Sequence, residues 1–453
     1  MTTSSFTNKR LLSSSAALLS ARVFGIGVTF ATITLLSKRL TRDEFGAWNI
    51  LLSAFQLALL SELGLGVALR NRVSALLARG SRKQATLSIV ALLALFLVLL
   101  VPLALLAGAS GLLPGLLGLP ETPAYQWMVL LVVLVGVLFL VASTAVNCFF
   151  CHAEGSAVAL VEWGRGLGQL AAVGLSALLG FSLFGYVATF YGALLIVSFG
   201  GAAAYFARWG FNPFVLLARG RRGARAMLRT GRVLIGEALL QGLVHAGSII
   251  NLNIGAIVVA RELSLADAGI YAVMMRLFGA ALTMHLAVIS PYWAAFTVKF
   301  TTGERDWMAR SVRMLALTTT AVWAVGLVAV LFAGPWMTEV LVQERIESKT
   351  IWLLFSAWAL FAALTNLHNM VLQSVGRISR LAVLVVISAG LHLVLASLLG
   401  RFLGVQGIIG ATISVTALLL GFSGVEAWRL MGSASSGEPT GKEVGCSAES
   451  REA

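Results

Sequence analysis

Several residues that could bind an anion or carry a proton lie inside long apolar stretches of the sequence. Arg22, Glu62 and Arg276 each lie in such a stretch, and so do His245 and His285. A charged side chain at the centre of a bilayer costs about 2.5–3.5 kcal/mol on insertion scales, so it usually faces a cavity rather than lipid. A guanidinium stays charged and presents a planar fork of donors, whereas an imidazole titrates near neutral pH. These residue types therefore predict a cavity within the membrane that binds an anion.

The polar residues of the first two apolar stretches have counterparts 223 positions later in the chain. At this offset Arg22 corresponds to His245, and Glu62 corresponds to His285. If the two halves are repeats, Arg22 and His245 should face each other across the cavity. The alternative is coincidence, in which each side chain reaches an interface or bonds to a nearby carbonyl. Glu62 either holds an arginine in place or takes up a proton, and the first role is favoured.

Two other polar features have simpler interpretations. Arg165 follows Glu162 by about one helical turn, which predicts a local ion pair. Cys148 and Cys151 form a C-x-x-C next to His152, but no second cluster of ligands accompanies them. Small buried thiols near a helix end are therefore favoured over a metal or redox site.

The composition is that of a polytopic membrane protein. Of the 453 residues, 58% are hydrophobic and 11% are charged, with a mean hydropathy of +0.91. A soluble domain usually contains about 25% charged residues. The net charge of +14 comes from basic residues at helix ends and in short loops, where they set topology and contact anionic lipids. We therefore expect membrane lipids, and no nucleic acid, as partners.

Hydropathy predicts about twelve membrane-spanning helices. Twenty-three basic residues fall in segments on one side of these spans and seven in segments on the other, so the positive-inside rule places both termini in the cytoplasm. The predicted spans are 13–36, 47–69, 86–108, 125–148, 157–180, 185–207, 233–259, 269–292, 309–333, 350–372, 381–400 and 404–428.

A short motif repeats between the two halves of the chain. "TRDEFGAWNI" at 41–50 and "SLADAGIYAV" at 264–273 share a polar start followed by Gly, an apolar residue and an aromatic residue. Six spans in each half make the repeat parallel, related by an axis along the membrane normal. The predicted fold is all-α, with two six-helix bundles and a cleft between them. The predicted parts are an N-terminal bundle at 1–207, a basic cytoplasmic linker at 208–232, a C-terminal bundle at 233–430 and a disordered tail at 431–453.

Four stretches carry a resemblance to a known family. They are "FGAWNILLSAFQLALLSELGLGVALRNRVSALLARG", "AGIYAVMMRLFGAALTMHLAVISPYWAAF", "NMVLQSVGRISRLAVLVV" and "FLGVQGIIGATI". They resemble the polysaccharide flippases, which move O-antigen and other lipid-linked oligosaccharides and belong to the multidrug/oligosaccharidyl-lipid/polysaccharide exporter (MOP) superfamily. The resemblance covers nearly the whole chain except its tail, and it implies a fold like that of the multidrug (MATE) exporters.

The resemblance also implies a function. A polyprenyl-pyrophosphate-linked oligosaccharide would move from the inner to the outer leaflet of a bacterial inner membrane, for surface polysaccharide biosynthesis. Arg22 and Arg276 fall where the resemblance places cavity cations, so they are the first candidates to bind pyrophosphate, followed by His245 and His285. No cofactor is implied, and a proton gradient, a sodium gradient or the membrane potential could supply the coupling. The glycan polymerase and the chain-length machinery are candidate protein partners.

Two other classes of function share parts of this pattern. Many relatives carry an acidic residue in the seventh span, where this chain has Asn251 and Asn253, which weakens the case for ion coupling there. A MATE-type drug or cation exporter would need carboxylates in its cavity, and Glu62 stands nearly alone among basic groups. A membrane glycosyltransferase or polymerase would need a large outside loop with paired acid and base residues. The outside loops here are short, so we expect a transporter and not an enzyme.

Overall fold

The computed structural model describes residues 8–62, 64–152, 154–210, 220–289, 292–377 and 379–432. All regular elements in these ranges are helical, which confirms the predicted all-α fold. The α-helices are α1 (Asn8–Ser37), α2 (Arg42–Ala58), α3 (Leu65–Ala78), α4 (Arg82–Leu95), α5 (Val101–Ala109), α6 (Leu112–Leu117), α7 (Pro123–Asn147), α8 (Gly155–Leu179), α9 (Leu183–Trp209), α10 (Gly220–Glu262), α11 (Leu265–Ile289), α12 (Tyr292–Thr301), α13 (Arg305–Val342), α14 (Lys349–Ser374) and α15 (Ser379–Gly432).

The helices form two lobes that correspond to the two halves of the chain. In the first lobe, α1 packs against α8, and α9 packs against both α7 and α8. In the second lobe, α15 packs against α10 and α14, and α11 packs against α10. The lobes meet where α2 contacts α10 and α11, and where α10 contacts α3 and α4. The largest buried apolar cluster extends across both lobes.

Within the described residues, nine helices are long and apolar enough to cross a membrane. One of them, α15, is interrupted at Gly404, whose φ of 58° and ψ of −142° are not helical, so it contains two of the predicted spans. The 25-residue helix α8 matches the predicted fifth span, and α2 with α3 matches the second. Each of the twelve predicted spans therefore falls on helical structure, and the chain has the architecture of a multi-pass membrane protein.

The second predicted span is not one continuous helix. After α2, a 3₁₀ turn at Leu59–Glu62 is followed by Gly64, whose φ of 72° is left-handed. A Cβ at Gly64 would lie 2.8 Å from the backbone nitrogen of Gly242 on α10. Glycine is thus needed both for the backbone conformation and for the close approach of the two helices. The predicted span at 47–69 is therefore formed by α2 and α3 together, with a bend at Gly64.

The third predicted span contains a local widening of the helix. A π-helical segment at Phe96–Leu100 connects α4 and α5, and Pro102 follows at the start of α5. Proline lacks a donor and clashes with the carbonyl four residues earlier, and a π-turn relieves that clash. The span therefore continues through the proline as one irregular helix.

The repeated motif forms the same local structure in both lobes. Thr41 Oγ1 accepts a hydrogen bond from the Glu44 nitrogen (3.3 Å), and Ser264 Oγ accepts one from the Asp267 nitrogen (3.0 Å). Each carboxylate also bonds back to its capping residue. These paired contacts start α2 and α11 in the same way, 223 residues apart. The two halves therefore share the start of their second helix in conformation as well as in sequence.

The described helices cross the boundaries of the predicted parts, which remain predictions. Helix α9 continues to Trp209, and α10 begins at Gly220, so most of the predicted linker is continuous with the first long helix of the second lobe. Residues 211–219 and 433–453, which include the rest of the linker and nearly all of the predicted tail, lie outside the described residues.

Candidate functional site

A cavity of about 820 Å³ lies between the two lobes. Helices α1, α2 and α8 form most of its wall in the first lobe, and α10 and α11 form its wall in the second. Among the described residues of this wall, the charged ones are Arg22, Glu162, Arg165 and Arg276, an excess of two positive charges. Polar side chains add further hydrogen-bonding groups, among them Gln56, Gln169, Asn253 and Thr283. The volume is in the range of pockets that hold small molecules or the head group of a larger one.

Arg22 lies near the middle of α1 and is the most open cation of the cavity. Its side chain is exposed and, among the described residues, has no hydrogen bond or ion pair. The neighbouring turn of α1 is fixed against α8, because Phe24 stacks on Trp163 with ring centroids 4.1 Å apart. The helix is thus held rigidly while the guanidinium of Arg22 remains available to a ligand.

Arg165 is held far more tightly on α8. Its side chain forms the predicted ion pair with Glu162, and its Nε donates to Ser198 Oγ on α9 (2.9 Å). Its guanidinium also lies over the Phe139 ring on α7, 4.7 Å from the centroid. Only 4% of Arg165 is exposed, and its Nη2 has no hydrogen-bond partner in the described structure. Arg165 therefore contributes a fixed positive charge to the cavity wall.

Arg276 contributes the cation of the second lobe. Its Nη1 donates to the side-chain oxygen of Asn49 on α2, so this hydrogen bond joins the two lobes. Asn49 is completely buried, and its own Nδ2 donates to the Phe45 carbonyl (2.7 Å). One lobe thus supplies the cation and the other supplies a neutral acceptor that orients it.

Two other predicted site residues, His285 and Glu62, are not among the described residues of the cavity wall. His285 faces α13, where its Nε2 is 3.0 Å from Thr319 Oγ1. The Glu62 carboxylate lies beside Gly66 at the start of α3. Glu62 also takes part in a polar interaction, so it is not a free carboxylate. The side chain of His245 lies outside the described residues, although its backbone is part of α10. The expected juxtaposition of Arg22 and His245 therefore remains a prediction.

The lobes close together at the end where α2 and α11 begin. A Cβ at Gly269 would lie 3.3 Å from the Gly46 Cα and 3.1 Å from the Phe45 ring. A Cβ at Gly46 would overlap the backbone carbonyl of Leu265. Glycine at position 46 is therefore required for α2 and α11 to cross this closely, and a larger residue at position 269 would have to displace the Phe45 ring by a few tenths of an ångström.

Polar contacts reinforce the same end. Ser37 Oγ donates to the Leu341 carbonyl (2.8 Å), and Arg42 Nη2 lies 3.5 Å from Glu344 Oε2. A smaller cavity of about 340 Å³ lies beside these contacts. We call the contacts of Ser37, Arg42 and Gly46 with Leu341, Glu344, Leu265 and Gly269 the interlobe gate.

The cysteine motif lies away from the cavity. Cys148 and Cys151 are both free thiols on a 3₁₀ turn after α7, and Cys148 Sγ contacts the Thr144 carbonyl (3.3 Å).

The two asparagines of the predicted seventh span point to different places. Asn253 lines the cavity, whereas Asn251 Nδ2 donates to Ser388 Oγ on α15 (3.1 Å).

Sequence reasoning missed two features of the site. It treated the pair of Glu162 and Arg165 as purely local, but the structure places both residues on the cavity wall. It gave no role to Asn49, because the partner that gives this amide its importance, Arg276, lies 227 positions away in the sequence. The charge pair inside an apolar span was the one usable signal for the α8 wall.

The fold is found among solved membrane transporters. An inward-facing structure of a multidrug resistance MATE family transporter of the MOP superfamily superposes with a TM-score of 0.72 at 12% identity, covering 94% of this chain and 100% of that one. An outward-facing structure of a MATE family transporter of the same superfamily gives 0.62 at 10% identity, covering 94% and 97%.

A flippase shares the same architecture. The lipid II flippase MurJ, in an inward closed conformation, superposes with a TM-score of 0.59 at 11% identity and covers 93% of this chain and 90% of that one. The sequence matches no protein-family model and none of the curated proteins. The chain therefore has the two-lobe helical fold of MOP-superfamily transporters.

Proposed function

We propose that the protein is a flippase that moves a polyprenyl-pyrophosphate-linked oligosaccharide from the cytoplasmic to the outer leaflet of a bacterial inner membrane. The observation that carries this proposal is the cationic cavity between the lobes, with three arginines and one glutamate on its wall. Pyrophosphate is a multiply charged anion that arginine binds through paired hydrogen bonds. A low-dielectric cleft strengthens such contacts relative to water.

The three arginines would have different roles in this site. Arg22 is free to move and would bind a phosphate group directly. Arg165 is held by Glu162, Ser198 and Phe139, so it would act mainly as a fixed charge that attracts the anion. Arg276 would reach the same anion from the second lobe, which allows one ligand to contact both halves of the transporter.

The shape of the molecule supports transport by alternating access. The interlobe gate closes the cavity at the end that the charge distribution assigns to the outside. The described conformation would then receive substrate from the cytoplasmic leaflet, and separation of the gate would release it on the other side.

A MATE-type exporter of small molecules is the second candidate, since two of the structural relatives carry that description. A cationic drug would require free carboxylates in the cavity. Glu162 is the carboxylate on the described wall, and it is already paired with Arg165. The cavity charge therefore favours an anionic substrate.

The proposal can be tested in proteoliposomes with a fluorescent polyprenyl-pyrophosphate sugar. Arg22→Ala should abolish outward flipping, because it removes the cation that has no protein partner on the described cavity wall. Arg22→Lys should restore part of the rate, because an ammonium keeps the charge but not the fork. Arg429→Ala is a matched control, since that arginine is 72% exposed and pairs only with Glu426 in the described structure. A normal rate in Arg22→Ala would contradict the proposed site.

A further inference from the structure

The hydrogen bond between Arg276 and Asn49 connects the cavity to the interlobe gate. Arg276 lies on the cavity wall of α11, and its Nη1 donates to the side-chain oxygen of Asn49 on α2. Asn49 is one turn from Gly46, the residue of α2 that contacts Leu265 and Gly269 at the gate. The same short segment of α2 therefore touches both the cavity cation and the closed end of the transporter.

The amide of Asn49 is oriented for this contact. Its Nδ2 donates to the Phe45 carbonyl at 2.7 Å, so its oxygen is the atom left to face the guanidinium. Asn49 is fully buried, so water can replace Arg276 as its partner only if the surrounding side chains rearrange. With Arg276 in place, both ends of the amide are satisfied and the gate segment is held.

The acceptor of the Arg276 hydrogen bond is the neutral side-chain oxygen of Asn49, so an anion can displace it. A guanidinium binds a carboxylate or phosphate more strongly than an amide oxygen, because both partners are charged and the bonds are paired. A phosphate in the cavity can therefore compete with Asn49 for Arg276. An aspartate in this position would hold the guanidinium much more firmly.

We propose that Asn49 is a positioning residue that couples occupation of the cavity to the gate. With the cavity empty, Asn49 holds Arg276 and the two lobes stay closed at this end. An anion that draws Arg276 away removes one interlobe bond and favours separation of α2 from α11. The anion part of this inference rests on the proposed function, whereas the link from Asn49 to the gate does not. A ligand shifts such an equilibrium only through its different affinity for the two states, and competition for Arg276 supplies that difference.

The test measures the width of the gate directly. Spin labels are attached at Lys38→Cys and Lys349→Cys in the full-length protein, after the three native cysteines have been replaced by alanine. Both positions are exposed. They lie on different lobes, and neither residue takes part in the gate contacts. Distances between the labels are recorded in nanodiscs by pulsed electron paramagnetic resonance, without anion and with either inorganic pyrophosphate or a polyprenyl pyrophosphate.

In Asn49→Ala the longer distance between the two spin labels should be populated even without anion. The ratio of open to closed gate should change about tenfold, because one hydrogen bond to a charged group is lost. Asn49→Asp should stay closed when pyrophosphate is added, whereas the unsubstituted gate should open. Thr365→Ala is the control, because Thr365 is also a buried polar residue (5% exposed) but is not among the described residues of the cavity wall, and its side chain bonds within its own helix α14 (2.7 Å to the Phe361 carbonyl). Melting curves and gel filtration verify that each variant is folded.

An unchanged distance in Asn49→Ala, with Asn49→Asp also behaving like the unsubstituted protein, overturns the inference whatever the substrate is. The gate could instead open in Asn49→Ala while pyrophosphate fails to open it in the unsubstituted protein. That result would contradict the claim that the anion competes with Asn49 for Arg276. That outcome counts against the proposed substrate and still supports the contact between Asn49 and the gate. Opening with inorganic pyrophosphate assigns the recognition to the phosphates, and opening with the polyprenyl form alone assigns it to the lipid-linked molecule.

Discussion

Gly46 and Gly269 lie against each other where α2 and α11 cross, although 223 residues separate them in the chain. They occupy the same position in the two copies of the repeated motif, five residues after the capping residue of each helix. A pair of equivalent residues in contact must lie close to the axis that relates the two halves. The crossing therefore marks both the pseudo-twofold axis and the closed end of the cavity between the lobes.

A methyl group at this crossing should open the gate. Gly46→Ala places a Cβ against the Leu265 carbonyl, so α2 and α11 cannot keep their present distance. We expect the longer distance between labels at positions 38 and 349 to predominate. Gly192→Ala on α9 is the control, because a Cβ there meets nothing within 4 Å. Identical distance distributions in the two variants would contradict the assignment of the gate.

The two members of the ion pair on α8 should differ in their effect on stability. Glu162→Ala leaves the Arg165 side chain, only 5% exposed, without its charge partner, so it should lower the unfolding temperature. Arg165→Met leaves the Glu162 side chain, which is 46% exposed and can be solvated through the cavity, so its loss should be smaller. Thermal unfolding in detergent, followed by tryptophan fluorescence, measures the difference. A larger loss for Arg165→Met would show that the contacts with Phe139 and Ser198 matter more than the pairing.

The membrane potential should accelerate outward flipping of an anionic substrate. A potential that is negative inside is worth about 2.3 kcal/mol per charge per 100 mV for an anion that moves outward. Collapsing it with valinomycin and potassium in proteoliposomes should slow flipping even when a proton gradient remains. Equal rates with and without the potential would indicate a neutral transported species or strict coupling to protons.

The orientation predicted from charge can be read with reporter fusions. Fusions after residues 115, 265 and 345 should report the outside, and fusions after 80, 220 and 435 should report the cytoplasm. The physical reason is the excess of basic residues, 23 against seven, on the predicted cytoplasmic side. A reversed reading at any one of these sites would break the parallel relation between the two halves.

The sequence by itself determined the helical class, the approximate positions of the spans and the repeat. Hydropathy and helix capping are local properties, so Thr41 with Glu44 and Ser264 with Asp267 could be recognised from their spacing alone. It also identified Arg22 and Arg276 as cations inside apolar helices, and both lie on the cavity wall.

Only the tertiary structure decided which polar residues share the cavity. A hydropathy profile gives the depth of a residue along a helix but not the face on which it lies, because that depends on which neighbours pack around it. His285 turns towards Thr319, while Glu162 and Arg165 join the wall. The bond from Arg276 to Asn49 links residues 227 positions apart in different lobes. No local pattern encodes that distance, since it arises from the crossing of α2 and α11.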